Sequence, residues 1–370
     1  MAAGWNHFYN LEFDQAIAAF EAVVRKNPDD PYAYNALSQG ILYREMLRSG
    51  SLESELVTGN NPFLKREKLK PSPENRKLLE DSIAKALELT QATLNKSPED
   101  IRALYAQGIA YGLRANYNFL IRKAWMDALR DITTSRKLQN QVTRLKPDYY
   151  DARLVQGVHD YVVGSLPWQY KILGFLIGFH GDKEEGIRTL QLVAQKGEQD
   201  RNDAKVILAA IYRRERRPAA AIPLLRELIR AYPRNYLFLL EMVQMYADEG
   251  NKQKALETLE ELDRRKRANT PGFAAMPEEK INVSRGNLLF WYRDYDQAIP
   301  ELEKAVSNVN ALDLNASTTA YLRLGQCYDM KGERAEALKA YRSCIDLAPD
   351  SDAAGQARKY LSSPYKRGKQ

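Results

Sequence analysis

Five residues recur along this chain at fixed offsets: a small residue, an alanine twelve positions later, a large apolar residue four further on, an apolar residue three beyond that, and a proline five later still. The set reads Gly4, Ala16, Phe20, Val23, Pro28 near the start, Ala209, Ala221, Leu225, Leu228, Pro233 in the middle, and Gly325, Ala337, Tyr341, Cys344, Pro349 near the end. The spacing predicts a unit of about 34 residues built from two helices and a turn. Such a unit cannot bury its apolar face alone. Neighbours therefore stack into one continuous core and leave a long concave surface for binding.

The offsets have a physical basis. Antiparallel helices approach closely only where both present small side chains, as Gly4 with Ala16 or Gly325 with Ala337 would, while Phe20 and Tyr341 are expected to fill the space toward the next pair. Proline then stops the second helix. With Tyr321, Leu324, Gly325, Tyr328, Gly332, Ala337, Tyr341 and Pro349 all in place, this stretch resembles the tetratricopeptide repeat (TPR) family. The resemblance implies an all-α fold, a right-handed α-α superhelix.

Read forward, the chain of 370 residues divides into about eight such units. The first covers residues 1 to 28; because Gly4 falls in the middle of an expected first helix, a segment is expected to precede residue 1. The second starts at Tyr32, is interrupted by a polar insertion over residues 50–74, and closes at Pro98. The third runs from Leu104 to Pro147 with lengthened helices. The fourth opens at Leu154 and Gly157 and closes with Gly186, Leu190 and Val193, around an apolar insertion at 161–181. Units five to eight are nearly regular: Leu208 to Pro233, Leu239 to Leu262, Gly286 to Ala305, and Tyr321 to Pro349. A short polar helix from Ser351 to Leu361 is expected to cap the array. The expectation is one solenoid domain over residues 1–361, followed by a disordered basic tail at 362–370.

The apolar insertion, Tyr161 to Phe179, approaches the length of a membrane span, but Pro167, Gln169, Lys171 and three glycines interrupt it, so it reads as a broken helical hairpin. Its side chains Trp168, Ile172, Leu173, Phe175, Leu176, Ile177 and Phe179 would expose more apolar surface than a soluble monomer leaves open, and are expected to pack intramolecularly. Gly164, Leu166, Pro167, Leu173, Gly178, Phe179, Gly181, Gly186 and Leu190 follow the order of a motif in the tetratricopeptide repeat thirty-nine (Iml2-like) family. That narrower resemblance covers about a third of the chain and implies an adaptor.

No sequence motif argues for an enzyme. His7, His159 and His180 fall in separate segments, no Cys/His pair has zinc-ligand spacing, and neither a Walker A loop, a dinucleotide-binding glycine motif nor a G-x-S-x-G elbow occurs. No metal or cofactor is expected. In the turn holding His180 and Asp182, the aspartate is expected to cap the following helix. Cys327 and Cys344 sit where small apolar residues pack and read as buried thiols. The net charge of +7 is modest for the length, and clusters at Lys65 to Lys70, Arg213 to Arg217 and Arg264 to Arg267 are diluted by acids. Cations at helix ends complement the dipole, so nucleic acid is a disfavoured partner. The chain as given carries no signal peptide; a removed export segment would leave a similar start, which keeps both a cytoplasmic and a periplasmic location open.

The binding surface is expected on the first helix of each pair. Helical spacing places Trp5, Phe8, Tyr9, Tyr32, Asn35, Gln39, Tyr43, Tyr105 and Ile109 along it, followed by Arg213, Gln244, Asn287, Phe290, Trp291, Gln326 and Asp329. Aromatic anchors and side-chain amides suit an extended peptide or a helix. The carboxylate clamp of chaperone-tail readers is absent, because Trp5 and Ala36 stand at two of its positions. The leading expectation is a non-enzymatic adaptor for a protein or peptide partner; the alternatives are a peripheral, non-integral membrane adaptor using residues 161–179 and an RNA-binding repeat protein. No pattern in the sequence encodes the oligomeric state.

Overall fold

A computed structural model describes residues 1–54, 69–166 and 180–368. Among them are seventeen α-helices of eight residues or more and no strand. The fold is all-α, of the α-α superhelix class.

Backbone contacts divide the chain into two compact units, Met1–Arg48 with Leu56–Arg214, and Ser49–Glu55 with Glu215–Gln370. The first unit holds the hairpins α1 (Ala2–Tyr9) with α2 (Phe13–Lys26), α3 (Pro31–Arg48) with α4 (Pro73–Lys96), α5 (Ile101–Tyr117) with α6 (Trp125–Leu145), and α7 (Leu154–Gly164) with α8 (Lys183–Lys196), then α9 (Arg201–Arg214). The second starts with α10 (Pro218–Ala231) and continues with α11 (Tyr236–Asp248) and α12 (Lys252–Arg267), α13 (Glu278–Trp291) and α14 (Tyr295–Ser307), α15 (Leu314–Lys331) and α16 (Arg334–Leu347), closed by α17 (Asp352–Ser362).

The repeat prolines punctuate as their chemistry requires. Pro28, Pro98, Pro147, Pro233 and Pro349 each stand two residues beyond the end of a helix, where a missing N–H and a locked φ prevent another turn. At the other ends, Ser72, Asp100, Asp182, Asn235, Asn251, Asp313 and Ser351 cap through side-chain oxygens. Asp182 takes the amide of Glu185 at 2.7 Å, the capping role expected for it.

The small residues act by close approach. A Cβ on Gly325 would lie 2.5 Å from the Tyr341 ring, and one on Gly286 would lie 2.6 Å from Cγ of Leu302. A Cβ on Gly4 would overlap Phe20. Phe20 and Tyr341 thus fill the space over the glycine of their own hairpin and also reach the next element, as expected: a Cβ on Gly40 of α3 would lie 3.5 Å from the Phe20 ring, and Tyr341 packs against Tyr360 of α17 at 5.5 Å. Both are fully buried.

Hairpin three departs from regular geometry. A π-helical segment, Asn118–Arg122, extends α5, and the buried Asp131 of α6 takes both a bidentate contact from Arg114 (2.9 and 2.7 Å) and the amide of Asn118 (2.9 Å). Of the polar insertion, Ser51–Ser54 forms one helical turn and α4 already begins at Pro73, while 55–68 lie outside the described residues. Of the apolar insertion, 167–179 lie outside them, including Trp168 and the six other side chains expected to pack inward. No helix among the described residues is long and apolar enough to cross a membrane.

Of the basic tail expected over 362–370, Ser362 ends α17 and 369–370 lie outside the described residues. Residues 363–368 lie against α13 and α15, because Tyr365 and Arg367 find specific partners there.

Candidate functional site

In the first unit, most of the side chains expected to face a ligand are engaged within the protein. Trp5 packs against Phe8 and Phe20 at 5.2 and 5.0 Å, and Phe8 against Tyr43 at 5.0 Å. Tyr32 donates its hydroxyl to the carbonyl of Arg102, and Asn35 donates to that of Ala106 at 2.8 Å. Ile109 packs against the cluster around Leu104 and Tyr105.

Tyr9, Gln39 and Tyr105 converge on two acids. The Tyr9 hydroxyl donates to Asp203 at 2.9 Å and that of Tyr105 to Asp200 at 2.7 Å, while Gln39 also hydrogen-bonds Asp203. Asp151 Oδ1 collects the amides of Glu198, Gln199 and Asp200 at 2.9, 3.1 and 2.9 Å, which fixes the turn leading into α9. Burial raises the pKa of Asp203 to about 6. Burial, followed by the charge of Asp203, raises that of Asp200 as well. The first-helix face of α1, α3 and α5 is thus occupied by the start of α9.

The second unit presents a different face. Phe290 is fully buried and Gln326 nearly so, whereas Trp291, the last residue of α13, is 51% exposed. Arg323 of α15 lies over both rings, 4.6 Å from Phe290 and 5.0 Å from Trp291, and donates to Gln326 at 2.7 Å. Burial lowers its pKa. Among the described residues, Arg323 Nε and Asn287 Oδ1 are buried atoms with no hydrogen-bond partner. Asn287 and Trp291 are four apart on α13 and share its face. Arg213 is half-buried at the end of α9 in the first unit, and Gln244 bonds Asp248 on its own helix at 2.7 Å.

The remaining chemistry is structural. Burial pushes the Cys327 and Cys344 thiols up to about 12 and about 11. Arg264 and Arg265 pair with Glu261, and Lys266 donates to the carbonyl of Met276 at 2.6 Å, so the cluster at the end of α12 serves its own helix and turn. No group of three metal-ligating side chains occurs among the described residues.

Tetratricopeptide repeat models match residues 1–39, 212–276 and 319–351, at the start, middle and end of the array. The chain carries tetratricopeptide repeats in these three stretches. Its fold is similar to that in the APC/C hetero-tetramer Cut9–Hcn1, with 12% identity, a TM-score of 0.51, and coverage of 94% of this chain and 52% of that one. This TPR chain therefore spans about half the length of that neighbour. Yeast Tom70 (12% identity, 96% and 86% coverage, TM-score 0.44) and the human IFIT1 dimer with PPP-AAAA (16%, 91% and 69%, 0.43) superpose too loosely to bear on the fold. No curated protein sequence matches significantly. The narrower Iml2-like resemblance finds no support in these matches.

Sequence reasoning missed Asp200, Asp203, Arg323, Tyr365 and Arg367. Only the last pair carried a signal. Pro364 favours an extended backbone before it, and an aromatic residue and an arginine follow at alternate positions.

Proposed function

We propose that this TPR chain is a non-enzymatic adaptor that binds an extended segment of a protein partner across α13 and α15. TPR arrays serve as protein-interaction scaffolds, and the matched repeats support that role. The observation that carries the finer reading is Trp291, half exposed beside the unpartnered Asn287 Oδ1 and Arg323 Nε. An exposed aromatic offers a hot-spot anchor, and an orphan acceptor with an orphan donor matches the N–H and C=O of an incoming backbone. Buried polar atoms without partners are costly, so a ligand that satisfies them gains affinity.

Display of random twelve-residue peptides on the wild-type chain and on Trp291→Ala tests this. Enriched peptides should lose roughly tenfold or more in affinity for the variant, the loss expected of a hot-spot anchor. Enrichment that is indifferent to Trp291 sinks the assignment of this face.

A further inference from the structure

The face across α13 and α15 is already touched by the chain's own residues after α17. Three contacts define how. The Tyr365 amide donates to Asp329 Oδ2 at 2.7 Å, and that carboxylate, 1% exposed, is also held by the Tyr341 hydroxyl at 2.8 Å and by Arg334 at 2.9 Å. The Tyr365 ring packs against Phe290 at 6.0 Å and Tyr360 at 5.3 Å. Arg367 donates to the carbonyls of Phe290 and Trp291 at 2.8 and 2.9 Å, with its guanidinium 5.5 and 5.3 Å from the two rings.

Each contact recognises something general. A fixed carboxylate that accepts a main-chain N–H reads an extended backbone. The last carbonyls of a helix lack intrahelical partners and carry the negative end of its dipole, so a forked cation two residues further on is read there. The fit is also incomplete. Arg367 shares both rings with Arg323, placing two cations together, and Asn287 Oδ1, Arg323 Nε and the hydroxyls of Tyr292 and Tyr295 stay without hydrogen-bond partners among the described residues. A segment that holds the site while leaving it partly unsatisfied is displaceable by a better one.

We propose that Ser363–Gly368 is a built-in occupant of this face, and that the face takes an extended peptide with an aromatic residue followed two positions later by an arginine. The inference rests on the adaptor reading above and names the partner chemistry of the same site. Tethering gives the internal segment an effective concentration of about a millimolar, so external peptides compete against it.

The test uses a fluorescein-labelled peptide of residues 362–370, read by fluorescence anisotropy against the full chain, a chain ending at Ser362, and the full chain carrying Tyr365→Ala with Arg367→Glu. The shortened chain and the double variant should bind the peptide roughly tenfold or more tighter than the full chain does, as removal of a tethered competitor requires. A peptide carrying Arg367→Glu should fail to bind. If the shortened chain and the folded double variant both bind no better than the full chain, self-occupancy is wrong. Should the 362–370 peptide bind as expected while display yields no Trp291-dependent ligand, the adaptor reading fails and self-occupancy stands. If display ligands need Trp291 but do not compete with the 362–370 peptide, the adaptor reading stands and self-occupancy of its site fails.

Discussion

Asp203 at the start of α9 accepts the hydroxyl of Tyr9 on α1 across 194 residues of sequence. The bond brings the last helix of the first unit onto the face of the first helix, and it does so with a carboxylate removed from water. A group whose folded pKa lies above its ordinary value binds its proton more tightly in the folded state. The stability it contributes is complete below about pH 4 and is lost as pH rises through about 6. Asp203→Asn retains an acceptor for Tyr9 without the buried charge. Thermal melts should show the wild type losing stability between about pH 4 and 6.5, by at most about 3 kcal/mol, with a flatter profile and a higher Tm at pH 7.5 for the variant. Parallel profiles for the two proteins would refute the assignment.

Gly325→Val tests close approach in the last hairpin. Its Cβ would meet the Tyr341 ring, whose hydroxyl is tied to Asp329, so the ring cannot swing away without breaking that bond. Overpacking of this kind costs about 1–3 kcal/mol. Urea denaturation should show a lower midpoint with an unchanged slope, and an unaltered midpoint would mean the helices separate freely.

The helical repeats were legible in the sequence because one physical requirement repeats. Gly4, Gly286 and Gly325 each permit a contact that a Cβ would block, and the prolines stand at a constant distance past the helix ends. The site was less legible. Periodicity names the face on which Tyr9, Tyr105 or Trp291 lies, but not whether another part of the chain covers it. Tyr9 and Tyr105 are taken by acids about 100 to 190 residues away, a long-range fact with no local pattern. The basic composition after Ser362 resembled a solvated tail, since composition is blind to the two helix-end carbonyls that Arg367 finds.

Asp131 gives a sharper stability test than any surface pair. It is 4% exposed and holds Arg114 and Asn118 together where α5 passes into its π-helical extension. Asp131→Ala leaves the buried Asn118 amide and the Arg114 guanidinium without their acceptor. Because Arg114 is 39% exposed and solvent can take up its charge, the cost is about 1–3 kcal/mol, that of an orphaned buried donor, and not the larger cost of breaking a fully buried pair. Calorimetry should register a fall in Tm, whereas Asp81→Ala, which breaks an exposed pair with Lys77, should shift it little.

The two thiols should be silent in the folded protein. Cys327 and Cys344 have no exposed surface, and burial raises the pKa of both, so the reactive thiolate is scarce. An aromatic disulfide reagent at pH 7.5 should titrate neither until denaturant is added, after which both should react. Rapid labelling of the native chain would show that the hairpin of α15 and α16 opens locally.

Phe290 and Trp291 are neighbours with opposite roles, and their alanine variants should separate binding from stability. Phe290 has no exposed surface and supports Trp291, Tyr295 and Tyr365 in edge and tilted contacts, so Phe290→Ala removes a core ring and should cost about 3–5 kcal/mol. Trp291 already faces solvent over half its surface and ends its helix, so Trp291→Ala removes little that the folded chain needs. Its melting temperature should stay within a few degrees of the wild type, a shift corresponding to less than about 1 kcal/mol. Peptide affinity for the chain ending at Ser362 should nevertheless fall with this substitution. If Trp291→Ala instead unfolds the protein as severely as Phe290→Ala, the ring is part of the core and cannot be the anchor of a binding face.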